Sequence, residues 1–278
     1  MTTKIIENYQ ISSQYYRLTL DCAEIAHQAT PGQFVMIRVK QEVEPLLRRP
    51  FSIHRRWTAS NRKDAEPEGI QVLFRVAGKG TAHLASLAKG AKIDIIGPLG
   101  QGFQLKNSTL SSHPVLIAGG IGVAPLLFLA DQLKALDASL RPLLFLGGKT
   151  AADILCQEDF QKQDFLLRIS TEDGSLGHKG LIMEPFSAYL EQMATSAETE
   201  ISLFACGPLP LMLKVVEAGR KFHLNCQVSL EQKMACGVGA CLGCVVELPD
   251  ENNQPRYRRV CSEGPVFEIM SHEKESYQ

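Results

Sequence analysis

Pro114-Val-Leu-Ile-Ala118 runs straight into Gly119-Gly120-Ile121-Gly122-Val123-Ala124-Pro125 and then into an apolar stretch that reads as a helix to about Leu136. The order strand, glycine turn, helix is the opening unit of a parallel α/β sheet. Glycines at such a turn let a pyrophosphate approach the backbone at a helix N-terminus, where the peptide dipoles favour negative charge. Gly120-x-Gly122 matches the first two glycines of the G-x-G-x-x-G fingerprint, but Pro125 stands at the third position, where it suits a first helical turn. The alternation then repeats. Leu143–Leu146 ends in Gly147-Gly148-Lys149-Thr150, Phe165–Ile169 ends in Ser170-Thr-Glu-Asp-Gly174, and Ile201–Ala205 ends in Cys206-Gly207-Pro208 before a helix from Leu209 to about Ala218. Ligands bind at the C-terminal ends of parallel strands, so Gly119, Gly120, Gly122, Cys206, Gly207 and Pro208 are candidate dinucleotide contacts. Cys206 reads two ways, as a buried thiol or as a small residue facing a nicotinamide. Glu172 and Asp173 are candidates for the ribose, against the plainer reading of solvated acids, and His178 and Lys179 read as solvated loop residues.

Upstream, to about residue 108, the pattern is one of short strands: Tyr16–Leu20, Gln33–Val39, Ile70–Val76 and Ala91–Ile96. Period-two alternation with Pro/Gly punctuation indicates an antiparallel barrel or sandwich. Thr81–Ala88 interrupts it with helical spacing, Thr81 standing as a cap and Gly90 as the stop. Arg48-Arg49-Pro50-Phe51-Ser52-Ile53 has the parts of a flavin contact: an arginine to bridge a diphosphate, a proline to fix a turn, and a hydroxyl beside a flat ring. An isolated copy is as well read as a solvated basic turn. Leu73-Phe74-Arg75 on a strand and Gly78-Lys79-Gly80-Thr81 leading into the helix complete a diphosphate cradle. The glycine-rich turn Gly97–Phe103 closes this region, and Arg56–Glu68 reads as a polar surface excursion.

Downstream lies Cys236-Gly-Val-Gly-Ala-Cys241-Leu-Gly-Cys244, answered by Cys261 after a polar loop from Pro249 to Arg259. C-x4-C-x2-C with a fourth cysteine is the plant-type [2Fe–2S] spacing. Its thiolates and sulfides carry negative charge, so the backbone wraps closely and offers N–H groups, which Gly237, Gly239 and Gly243 permit. A structural zinc knuckle is the competing reading, although zinc sites usually pair C-x2-C with C-x2-C. Disulfides fare worse, because a chain of 278 residues needs no such scaffold. Cys22, Cys156 and Cys226 read as small core hydrophobes.

The totals set outer limits. The length calls for two or three domains, and a formal net charge of −1 with mixed signs offers nucleic acid no basic field. Neither a signal peptide nor eighteen consecutive apolar residues appear, so a cytoplasmic protein with no membrane association is expected.

Three motifs stand in a fixed order: Arg49-Pro-Phe-Ser52, Gly119–Pro125 with Cys206-Gly-Pro208, and Cys236–Cys244 with Cys261. This order resembles the ferredoxin–NADP reductase superfamily with a C-terminal cluster domain. More closely, and most specifically over Met234–Val245, it is similar to the electron-transfer subunits of type 1B dihydroorotate dehydrogenase. The resemblance implies a multi-domain fold: an FAD-binding β-barrel over 1–110, an NAD-binding α/β domain over 111–222 joined through Ser111-Ser112, and a [2Fe–2S] domain over 223–278. It places FAD contacts on Arg49, Pro50, Phe51, Ser52, Leu73, Phe74, Arg75, Gly80 and Thr81, and cluster ligands on Cys236, Cys241, Cys244 and Cys261. Phe51 departs from the small aliphatic residue frequent there. The implied partner is a dihydroorotate dehydrogenase catalytic subunit holding FMN, in a heterotetramer of two plus two serving pyrimidine biosynthesis, with NAD as diffusible redox partner. No residue of this chain is then catalytic for dihydroorotate. A subunit of an NAD(P)H–ferredoxin or sulfide-linked reductase shares all three motifs, and a non-catalytic zinc-stabilised interaction module remains the reading from another class. NAD against NADP stays open, since Lys149 favours a 2′-phosphate while Glu172 and Asp173 oppose it.

Overall fold

Strands that alternate apolar and polar residues bury one face by curling, and here the curl closes. The structure is a computed structural model describing residues 1–39, 46–59, 66–105, 113–194, 201–249 and 254–269. Strands β1 (Thr2–Ser12), β2 (Tyr15–Asp21), β3 (Phe34–Arg38), β4 (Arg49–Trp57), β5 (Gly69–Arg75) and β6 (Lys92–Leu99) form a closed antiparallel barrel in the order β1-β2-β5-β4-β3-β6. Its interior holds Leu18, Val35, Ile37, Ile53, Val72 and Ile95, each with no exposed surface. Helix α1 (Ala23–Gln28) covers one end and α2 (Lys79–Ser86) follows β5. Two expectations are corrected. Arg49-Pro50 is not a turn but the start of β4, where proline is tolerated at a strand's beginning, and Pro50 lies opposite Met36 of β3. Thr81 is not the cap of α2; it sits in the first turn, and its hydroxyl accepts from the backbone N–H groups of Ala77 at 2.9 Å and Gly78 at 3.2 Å.

The second half is a seven-stranded sheet. Strands β7 (His113–Gly119), β8 (Leu143–Gly148), β9 (Leu166–Thr171), β10 (His178–Lys179), β11 (Ile201–Cys206) and β12 (Asn225–Ser229) run parallel, and β15 (Val266–Ile269) adds an antiparallel edge, in the order β10-β9-β8-β7-β11-β12-β15. Helices α3 (Ala124–Leu136), α4 (Gln157–Gln161), α5 (Met183–Ala194) and α6 (Leu209–Lys221) connect them. The sheet therefore continues past residue 222, taking β12 and β15 from the segment expected to form the cluster domain. His178 and Lys179 are a short edge strand rather than loop, with His178 2.9 Å from Glu184. Residues of the expected polar loop form a hairpin of β13 (Val245–Pro249) and β14 (Pro255–Arg259). The Ser111-Ser112 linker, and with it the 110/111 boundary, lies outside the described residues.

Helix α3 joins the two halves. Its first seven residues, Ala124–Ala130, are all apolar and all buried. Leu126, Leu129, Ala130 and Leu133 belong to one core with the sheet, while Phe128 projects into the barrel's core. Polar links reinforce the joint: the Arg55 guanidinium grips Asp131 of α3 through Nε at 2.7 Å and Nη2 at 2.6 Å, and buried His54 lies 2.7 Å through Nδ1 from the Ala124 carbonyl. No described helix is long and apolar enough to cross a membrane.

Candidate cofactor sites

One end of the barrel gathers the residues expected to hold a flavin. Ile53 pairs with Val72, so in these antiparallel strands Ser52 and Leu73 continue side by side, and the rings of Phe51 and Phe74 meet edge-on at 5.7 Å. Phe51 and Phe74 face the barrel core and Leu73 the core shared with α3. What these three offer a ligand is backbone and packing, while half-buried Ser52 keeps its side chain at the surface of the strand. The two arginines differ. Arg48 is held by Asp94 at 2.6 Å, whereas among the described residues Arg49 donates only to the carbonyls of Leu47 and Arg48. Arg49 is thus the guanidinium with charge to spare for a diphosphate. Gly80 is buried in the first turn of α2, five residues beyond exposed Arg75 and its strand.

The two glycine turns of the sheet fit into one another. A Cβ at Gly122 would stand 2.3 Å from the carbonyl oxygen of Cys206, so only glycine lets the β7–α3 turn close on the β11–α6 turn. Leu211 and Pro208 crowd Gly119, where a Cβ would stand 2.8 Å and 2.9 Å from their side chains. At Gly120, by contrast, no atom lies within 4 Å of a Cβ position, which leaves an open face beside the helix entry for a pyrophosphate. Cys206 is buried, 2 % exposed, and burial pushes its thiol pKa well up, with Glu231 adding to the rise. It is a neutral thiol against Ser229, its neighbour across the sheet.

Where barrel and sheet meet, residues come together that the motifs did not flag. The Tyr15 hydroxyl donates to Asp153 at 2.7 Å, and burial together with that carboxylate pushes its pKa up to about 12. Arg75 lies close to Tyr15 and to Glu231. Glu231 is exposed at its surface, yet desolvation by the protein around it raises its pKa against the pull of Arg75. Its place just past the C-terminal end of β12 was the one signal in the sequence. Tyr15 gave none. On the far loops Asp173 is committed to its own turn, accepting from the Ser175 N–H at 2.9 Å and hydroxyl at 2.6 Å, so Glu172 is the acid left facing outward. A cavity of about 350 Å³ opens at the opposite, N-terminal edge of the sheet between His113, Arg141, Arg168 and Tyr189, away from both glycine turns.

The four cysteines form the third site. Each sulfur is within reach of one backbone N–H: Val238 to Cys236 at 3.5 Å, Gly239 to Cys261 at 3.1 Å, Gly243 to Cys241 at 3.5 Å, and Cys261 to Cys244 at 3.4 Å. Among the described residues no three His, Cys, Asp or Glu side chains gather for a single ion. The four thiols nonetheless neighbour one another, Cys236 beside Cys241, and Cys261 beside both Cys244 and Cys236. Four neighbouring thiols with an amide for every sulfur suit a cluster held by four thiolates. The loop amides, led by Val238, draw the Cys236 pKa down to about 6, while burial raises Cys261 to about 11. Cys244 and Cys261 are each 2 % exposed, whereas Cys241 is at the surface with Val238 and Leu242 beside it. Of the remaining thiols Cys22 and Cys226 are buried, and Cys156 is half-buried 3.9 Å from the His54 ring.

Comparison with known proteins follows the same division. Residues 2–103 match the oxidoreductase FAD-binding domain, 116–217 the oxidoreductase NAD-binding domain, and 231–271 the iron–sulfur cluster binding domain of dihydroorotate dehydrogenase B. The dihydroorotate dehydrogenase B (NAD(+)) electron transfer subunit of Desulforamulus reducens is 36% identical over 265 residues, spanning 95% of this chain and 94% of its own. That of Clostridium acetobutylicum is 36% identical over 264 residues, spanning 95% and 93%. Among solved structures, an NADH-dependent reduced ferredoxin–NADP oxidoreductase superposes with a TM-score of 0.76 at 24% identity, over 96% of this chain and 87% of that one. A ferredoxin NADP+ reductase from Neisseria gonorrhoeae gives 0.64 at 16% identity over 80% and 91%. At those identities the solved structures speak for the fold alone. With its FAD-binding, NAD-binding and iron–sulfur domains in that order, the chain belongs to the family of dihydroorotate dehydrogenase B electron transfer subunits.

Proposed function

We propose that the chain carries electrons from dihydroorotate oxidation on an FMN-holding partner subunit to NAD⁺, as one half of a cytoplasmic heterotetramer of two plus two in pyrimidine (UMP) biosynthesis. When bound, FAD supplies exchange between hydride and single electrons, and a [2Fe–2S] cluster supplies single-electron transfer. The residues of the chain bind and orient. In this reading residues 1–110 form the flavin unit, 111–222 the dinucleotide unit and 223–278 the cluster unit. Arg49 with Gly80 and Thr81 neutralises the flavin diphosphate, while Phe51, Leu73 and Phe74 shape its seat and Ser52 offers a hydroxyl to the ring. Gly119, Gly120 and Gly122 admit the dinucleotide pyrophosphate, and Cys206-Gly207-Pro208 forms the wall on which nicotinamide rests. Glu172 faces the ribose and favours NAD over NADP.

The observation that carries the proposal is the cysteine cage: four neighbouring thiols, an amide for each sulfur, one side buried at Cys244 and Cys261 and the other reaching the surface at Cys241. A redox group held there is shielded on the flavin side and accessible to a partner. The purified chain is expected to be coloured, to pass electrons from NADH to an artificial acceptor, and to show a [2Fe–2S] EPR signal on reduction. Co-expressed with a dihydroorotate-oxidising subunit, it is expected to make orotate formation depend on NAD⁺. A colourless, zinc-containing product would refute the proposal.

A further inference from the structure

Strand β3 separates the flavin motif from the cysteine loop, and it has two faces. Val35 and Ile37 point into the barrel core, while Phe34 and Met36 point outward into a different core that also contains Cys244 and Cys261. Met36 has no exposed surface. On one side its backbone lies opposite Pro50, inside the motif Arg49–Ser52. On the other its side chain fills the space at Gly237, the first residue of the loop after Cys236. A Cβ there would stand 2.5 Å from Met36 Cγ, 3.0 Å from Sδ and 3.3 Å from Cε, and Gly237 has φ +72. The loop therefore rests on the thioether with no slack.

We propose that Met36 is a positioning residue that sets how closely the cysteine loop approaches the flavin-binding strand. This rests on the proposed function, in which those two segments hold the cluster and the flavin. Methionine suits the place because an unbranched, polarisable side chain fills an irregular gap between a strand and a loop. Met36 touches Gly237 with its side chain and faces Pro50 across the ladder, so one residue spans the two motifs.

The test uses the full chain with flavin and iron in place, and compares Met36→Ala, Met36→Leu and Gly237→Ala. Two quantities are read: the rate at which the cluster's EPR signal appears after mixing with NADH, and the enhancement of flavin EPR relaxation by the reduced cluster, which reports their separation. Met36→Ala is expected to slow cluster reduction severalfold, because tunnelling rates fall exponentially with separation. It is also expected to weaken the relaxation effect while both reduction potentials and flavin reduction by NADH hold. Met36→Leu, which conserves volume, is expected to restore both readouts. Gly237→Ala, which drives a Cβ into the Met36 side chain, is expected to slow cluster reduction as well, and combining it with Met36→Ala to recover part of that loss. Should Met36→Ala not accumulate as folded protein, Met36→Val is read the same way. Parental rate and relaxation in the loosened variants would overturn the proposal, as would a loss that tracks a changed cluster potential. An unsubstituted chain that retains neither iron nor flavin would instead overturn the functional reading beneath it.

Discussion

Replacing Arg55 by Met removes the firmest polar tie between barrel and sheet. The guanidinium makes two charge-assisted hydrogen bonds to Asp131, at 2.7 and 2.6 Å, and a looser contact to Asp159 at 3.6 Å. Two such bonds at about 1.5–3 kcal/mol each give roughly 3–6 kcal/mol before screening. The side chains are 32% and 25% exposed, so the pair lies between a surface ion pair, worth about 0–1 kcal/mol, and a buried one, whose breaking costs about 3–5 kcal/mol. We take about 2 kcal/mol. The loss is not relieved locally, because among the described residues Asp131 keeps only the Gln163 amide at 3.1 Å. Urea unfolding followed by circular dichroism should therefore show the midpoint fall with an unchanged slope. Asp131→Asn should cost less in the Arg55→Met background than alone, because their shared bond is already gone. Additive costs, or a single-variant loss under about 0.5 kcal/mol, would show that α3 is held by its apolar contacts and that the ion pair is incidental.

Two further outcomes follow from other groups. His54 is neutral in the fold because burial pushes its pKa down to about 4. The unfolded imidazole takes up a proton below about 6.5, so unfolding binds a proton between those values and stability falls as pH drops from about 6.5 to about 4, by roughly 3 kcal/mol from this group. Unfolding measured across that range should lose this slope in His54→Gln, and an unchanged slope would place the sensitivity elsewhere. In the cluster segment, Cys261→Ser should abolish bound iron while FAD is retained, whereas Cys226→Ala, at a fully buried thiol in β12, should keep both. Iron analysis beside the flavin absorbance decides it, and equal iron loss in the two variants would deny Cys261 its role.

The parts of the fold that were legible in the sequence are those whose signal is local. Gly119–Pro125 announces a strand, a turn and a helix because glycine and proline act where they stand, and the observed elements match within a residue or two. The cysteine spacing is equally local. Strand β1 was invisible because Ile5 is its only large side chain fully withdrawn from solvent, the rest of its inward face being polar or half-buried. Pro50 misled for the opposite reason: it signals a turn in most contexts, and only its pairing with Met36 makes it a strand residue. At the sites, motif residues such as Gly122 were recoverable because the chemistry demands the residue type. Glu231, Tyr15 and Met36 were not, because each matters through a partner far away in the chain: Arg75, Asp153 and Gly237 respectively.

Those long-range partners also explain why three domains act as one. The segment leaving the barrel is stitched to the cluster segment and to the sheet at once. Gln101 N–H donates to the Gly264 carbonyl at 2.6 Å, and Gln104 and Gln227 exchange hydrogen bonds at 2.8 and 2.9 Å. Leu230 N–H donates to the Pro265 carbonyl at 2.9 Å as β15 closes the edge of the sheet. A cluster domain tethered by a flexible linker would sample many separations from the flavin strand, and electron transfer would wait on the rare close ones. Here the linker is replaced by a shared strand, a shared core and reciprocal backbone bonds, so the separation is a property of packing. It follows that substitutions at these seams, far from any cofactor contact, should alter transfer rates before they alter cofactor content.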